Sequence, residues 1–152
     1  MYFATVILFL LVCPAVSVGI EAMRSHQAAT SVALVARWWV FWAVGIRLFV
    51  AGVRQVIQPR FTAEEIFGVR EVGAQPMVRE IGFGNLSMGL LAICSVFHRD
   101  WVVPAAIVGG LYYGLAGLGH VGRASRNAKE QMAMISDAFA AVVLLVCAAK
   151  MV

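Results

Sequence analysis

Charge is what this sequence has least of. Only 13% of its 152 residues are Asp, Glu, Lys or Arg, about half the share of a soluble domain. No polar stretch is long enough to frame a second core, which excludes a second domain. Cysteine is scarce as well. Cys13, Cys94 and Cys147 fall in apolar runs without Cys-x-x-Cys or Cys/His spacing, which excludes a disulfide framework and a metal site and leaves small buried hydrophobes. No phosphate-loop pattern, internal repeat or low-complexity segment is present. The net charge of +4 comes from twelve Lys and Arg spread along the chain. That spread is a topology signal and not a nucleic-acid patch.

What is there is oil. The chain is 62% hydrophobic with mean hydropathy +0.87. Five apolar runs, at about 2–20, 32–57, 81–97, 101–119 and 131–149, each approach the roughly 20 residues that cross a bilayer. Backbone groups in lipid must pair within their own segment, so such runs become helices, and the alternation of barrel strands is missing. The expected fold is a single-domain, all-α integral membrane bundle of five transmembrane helices, spans two to five forming a four-helix core. The first run, YFATVILFLLVCPAVSVGI, has the length of a signal peptide, and AVS offers a small-residue site. It lacks a basic leading region, and Pro14 after LLVC spoils a lipoprotein box, so it reads as a retained span.

The basic residues divide unequally. Arg60, Arg70, Arg79, Arg123, Arg126 and Lys129 lie on the side of the N-terminus, against Arg24, Arg99 and Lys150 on the other. The positive-inside rule puts the N-terminus and both long loops in the cytoplasm of a bacterial inner membrane. Trp38, Trp39, Trp42 and Trp101 begin spans two and four at the outer interface. In the 58–80 loop, Thr62-Ala-Glu-Glu65 reads as a capping box opening an amphipathic helix over about 62–68, with Ile66 and Phe67 in the interface. Gln75-Pro76 is expected to break the chain before span three.

The charges inside span two carry the argument. Positions 37, 40, 44, 47, 51, 54 and 58 follow the three-four spacing of one helix face, which places Arg37, Arg47 and Arg54 on a common stripe. Arg37 and Arg54 can reach the two surfaces. Arg47 lies about 10 Å deeper than Arg54, at 1.5 Å per residue. An arginine at that depth costs at least about 2.5 kcal/mol and needs a partner. In span five, which runs antiparallel, Glu130 and Asp137 are spaced as Arg54 and Arg47 are. The depth match predicts Arg47–Asp137 and Arg54–Glu130 pairs, with Glu80 a rival for Arg54. Asn85 opens span three, Tyr113 and His120 share a stripe of span four, and Asn127 opens span five. Arg47, Arg54, Glu80, Asn85, Tyr113, His120, Asn127, Glu130 and Asp137 are thus expected around one cavity in the cytoplasmic half. Gly110, Gly114 and Gly117 are expected to let a neighbouring helix approach. The bland reading is that the charges only pin helices together, His120 caps a helix end, and Asn85 bonds across helices.

Two resemblances bear on this. The motifs R-E-x-G-F-x-N-L, G-G-x-x-Y-G-L-A-G-x-G-H and A-M-x-S-D, in the second half of the chain, resemble a bacterial family of small multi-pass membrane proteins of unknown function. That resemblance implies a four- or five-helix fold, loosely like DoxX-type bundles, and no established activity. RASRNAKEQ resembles the R-A-H-x-N-x-x-E-N motif of the membrane-associated eicosanoid and glutathione metabolism family. It would give glutathione-binding roles to Arg123, Asn127 and Glu130, with Ser125 replacing the histidine, but the motif opens the last span here and the second span there. The leading functional reading is a non-enzymatic one without cofactor: the polar cluster binds or moves a small polar or anionic ligand or protons. The alternatives are a structural or accessory subunit of an oligomer or larger membrane complex, and a glutathione-dependent membrane transferase.

Overall fold

The computed structural model describes residues 2–26, 28–121 and 127–152; Arg123, Ser125 and Arg126 lie outside them. Among the described residues there are six helices and no strand: α1 (Phe3–Ser25), α2 (Val32–Ile57), a short α3 over residues 59–66, α4 (Ala74–Cys94), α5 (Arg99–Val121) and α6 (Ala128–Met151). All except α3 are long and apolar enough to cross a membrane.

The local sequence accounts for most of the departures from plain α-helix. Pro14 has no N–H to return to the preceding turn, and α1 widens into a π-helical turn at Leu8–Val12 just ahead of it. A second π segment, Val40–Ile46, interrupts α2. Helix α4 begins at Ala74, earlier than the apolar run suggests, and takes Pro76 into its first turn, where a missing N–H costs nothing. Gln75-Pro76 therefore starts the helix and does not break the chain. Helix α3 begins at Pro59, so Thr62 is an interior, buried residue and no capping box forms. Ala63 and Ile66 of α3 turn into the protein, not outward.

The core is built from small residues. Ala36, Ala43, Ala92 and Ala140 are completely buried, while Phe83, Leu90, Leu111, Leu115, Leu118 and Val142 face outward. These small residues share the interior with larger ones such as Val40, Leu48, Tyr113 and Leu144 and let the helix backbones approach closely. Helix α2 lies at the centre and touches α1, α4, α5 and α6. Its contact with α4 is a glycine seam. A Cβ on Gly52 would sit 2.8 Å from the Gly82 carbonyl oxygen, and one on Gly89 2.7 Å from the Phe49 nitrogen. Helices α5 and α6 form the other closely packed pair, and a Cβ on Gly110 would sit 2.8 Å from the Leu145 side chain. Gly114 and Gly117 face α6 at ordinary contact distances of 3.5–3.7 Å. Helix α1 joins the core through Val6 and Leu10 and meets α2 again through Val18, Ala22 and Leu34.

Candidate functional site

The polar side chains of the spans are gathered at two levels of α2. At the far level, Arg37 donates to Glu21 of α1 at 2.7 Å and to the Val96 carbonyl at 3.3 Å. The other Glu21 oxygen accepts the Trp38 indole N–H at 2.7 Å. Arg37 is thus held, half-buried, between α1 and the turn that follows α4. Glu21 was missed because it follows the apolar run in EAMRSH and reads as loop; α1 continues to Ser25. The π segment between Arg37 and Arg47 also means that the two do not share a face. Wide i→i+5 turns advance less rotation per residue than α turns, so Arg37 is presented to α1 and Arg47 to α5 and α6.

At the deeper level, Arg47 Nη2 donates to Asp137 Oδ1 at 2.8 Å and to Ser136 Oγ at 2.9 Å. Its guanidinium lies over the Tyr113 ring, 4.8 Å from the centroid. Ser136 in turn donates to the Ala133 carbonyl at 2.9 Å, and Tyr113 donates its hydroxyl to the Ala43 carbonyl within the π segment. Every one of these groups is held from α2, α5 or α6. The matched depth of Arg47 and Asp137 on antiparallel helices is therefore a contact.

The second expected pair is replaced by two others. Glu130 faces α5, where its Oε1 lies 3.0 Å from His120 Nδ1, both side chains buried. Arg54 lies flat over the Phe61 ring of α3, 3.5 Å from its centroid, and among the described residues forms no ion pair. Glu130 and Arg54 are thus directed to different neighbours, α5 and α3. Glu80 is exposed on α4, outside the cluster. Asn127 is exposed as well and acts as the N-cap of α6, its side chain accepting the Glu130 N–H at 2.8 Å, which satisfies one of the free amides of the first turn. It also donates to the Glu65 carbonyl at 3.3 Å, and Lys129 pairs with the Glu65 carboxylate. These contacts fasten α3 to the start of α6. The Lys129 hydrogen bond and charge, with a lesser contribution from Arg70, hold the Glu65 carboxyl below its usual range.

Between these groups lies a cavity of about 230 Å³, walled by all six helices. Arg47, Arg54, Asn85, Tyr113, His120 and Asp137 line it; Glu80, Asn127 and Glu130 do not. Two liners escaped the sequence reading. Gln55 accepts a hydrogen bond from Asn85 Nδ2 at 2.7 Å across the α2–α4 seam, and Tyr112 stands beside Asn85. The Gln55 signal was available, since a glutamine inside an apolar span needs a partner. Asn85 is 2% exposed, and among the described residues its Oδ1 has no hydrogen-bond partner. The remaining walls are apolar, among them Leu48, Ile66, Phe67 and Ile81. Such a space can take a small molecule, below the roughly 300–1,000 Å³ typical of larger ligand pockets. Among the described residues no three His, Cys, Asp or Glu side chains are placed to hold a metal ion.

No curated protein and no solved structure matches the chain. A family model does match, over residues 1–151, and its description is a family of unknown function, DUF6790. The five apolar helices and the cavity between them are thus found in a chain that belongs to the family of unknown function DUF6790.

Proposed function

We propose that this is a multi-pass membrane protein, N-terminus in the cytoplasm, whose central cavity receives a small anionic ligand. The observation that carries the reading is the charge of the cavity wall. Arg47 is neutralised by Asp137 at 2.8 Å, whereas Arg54 lines the same cavity with an aromatic face and no carboxylate beside it among the described residues. The cavity therefore holds a guanidinium whose positive charge is available, in a setting where an arginine fork recognises carboxylate or phosphate in bidentate fashion. His120 and the amides of Gln55 and Asn85 supply further polar contacts. The cytoplasmic orientation rests on the excess of Lys and Arg on the N-terminal side, and the membrane location on the five apolar helices and the small-residue core. The bacterial inner membrane is the location that fits this pattern.

The test is calorimetry or thermal shift on the protein purified in detergent, titrated with sodium salts of acetate, propionate, phosphate and sulfate, and with glutathione. Stabilisation by at least one small anion at millimolar concentration, lost in Arg54→Gln, supports the reading. A wild-type protein indifferent to all of them overturns it, and a response to glutathione alone favours the transferase.

A second reading, helix pinning, is supported by the Arg47–Asp137 bridge itself, which joins the α2–α4 pair to the α5–α6 pair. Under it, leucine at both positions leaves a folded protein with unaltered assembly. Under the ligand reading, the same double change removes anion binding.

A further inference from the structure

The cavity has a second polar feature, opposite in sense to Arg54. Asn85 uses its amide nitrogen on Gln55, and its carbonyl oxygen, in a side chain only 2% exposed, has no hydrogen-bond partner among the described residues. A buried amide oxygen left so loses the full benefit of solvation, and proteins rarely leave such atoms unmatched. Asn85 lines the cavity that Arg54 lines. Leu48, Ile66, Phe67 and Ile81 give the same cavity an apolar part of its wall.

Resting on the anion reading above, we infer that the ligand is a short organic carboxylate bearing a hydroxyl or amino hydrogen-bond donor. The carboxylate meets the Arg54 fork, the donor satisfies Asn85 Oδ1, and a hydrocarbon body of a few carbons lies on the apolar wall. Sulfate would answer only the first of these groups, and hydrogen phosphate, which carries a hydroxyl donor, would still leave the apolar wall bare.

The experiment compares three acids of equal chain length on the wild-type protein in detergent by calorimetry: propionate, lactate and pyruvate. They differ at one carbon, which carries no polar group, a hydroxyl, or a keto oxygen. Lactate is expected to bind about tenfold more tightly than propionate, the ratio that one well-placed hydrogen bond gives. Asn85→Leu should remove that ratio while propionate binding stays; Arg54→Gln should weaken all three. Equal affinity for lactate and propionate, or tighter binding of pyruvate than of lactate, overturns the donor inference and leaves the anion site standing. If none of the three binds while phosphate or sulfate does, the ligand class is wrong and the cavity's charge reading survives. If no anion of any kind binds, both fall together. The wild-type comparison needs no variant to fold, so a misfolded Asn85→Leu protein does not decide the matter.

Discussion

Cutting the Arg47–Asp137 bridge from one side and then from both separates a charge that pins helices from one that merely touches. The two side chains are 13% and 10% exposed, with 2.8 Å between donor and acceptor, so this is a buried pair. Asp137→Leu takes the carboxylate away from a guanidinium that also meets Ser136 and the Tyr113 face, both uncharged. Breaking a buried pair from one side costs about 3–5 kcal/mol. The adjoining cavity gives water a way to the guanidinium and holds the cost near the lower bound, about 3 kcal/mol. For a chain of this length that corresponds to a fall of roughly 6–12 °C in Tm. Arg47→Leu should cost about the same, for its mirror reason. The double leucine variant removes both ions, and such replacements are often neutral or stabilising. It should therefore melt above either single variant. Unfolding in detergent, followed by fluorescence-detected size exclusion after heating, reads all four proteins. Single variants within 2 °C of wild type, on the scale of about 2–4 °C per kcal/mol, or a double variant whose loss is the sum of the singles, would refute the reasoning.

Three further outcomes are expected. Gly89→Leu, which drives a side chain into the Phe49 backbone 2.7 Å from the new Cβ, should lower Tm by several degrees through an overpacking cost of about 1–3 kcal/mol; Gly84→Ala on the same helix, with nothing within 4 Å, should be neutral or slightly stabilising, and equal behaviour of the two would deny the seam. Glu21→Gln should loosen Arg37 and Trp38, shift tryptophan emission to the red and lower Tm, while an unchanged spectrum would mean that Glu21 does not hold the indole. Because the folded-state carboxyl of Glu65 is held below its ordinary value, its pairing with Lys129 is present above the ordinary carboxylate pKa, about 4.3, and is lost as pH falls through the lowered one. Acidification, or Lys129→Ala at neutral pH, should therefore speed limited proteolysis within residues 58–73; cleavage independent of both would remove the fastening role given to this pair.

The fold was legible because lipid-length runs carry their own secondary structure, and because Arg47 is too deep to go without a carboxylate. Antiparallel crossings then left Asp137 at the right height. Height alone could not distinguish the partners of Arg54 and Glu130. Those depend on the angle at which each helix faces its neighbours, and a few residues near a helix end swing easily toward α3 or α5. Asn127 was legible in a different way. An asparagine three residues before a glutamate at a helix start is a capping pattern, and it performs that duty instead of facing the cavity. Glycine spacing was the hardest to read. The seam of Gly45, Gly52, Gly82 and Gly89 pairs residues seven apart on two helices, a match visible only once α2 and α4 are known to be neighbours. The Gly110 cluster drew notice because its glycines are close together in the chain.

The wide turn at Val40–Ile46 gives one crossing two independent bearings. In an unbroken α-helix the directions of Arg37 and Arg47 would be tied by the ten residues between them, and choosing a partner for one would choose for the other. With a stretch of different pitch between them, the outer half of α2 can be aimed at α1 and the inner half at α6. Removing a single residue from that stretch would restore the usual pitch and re-aim one arginine at the expense of its carboxylate. The length of this segment, more than its composition, is what keeps both ionic contacts compatible with one helix.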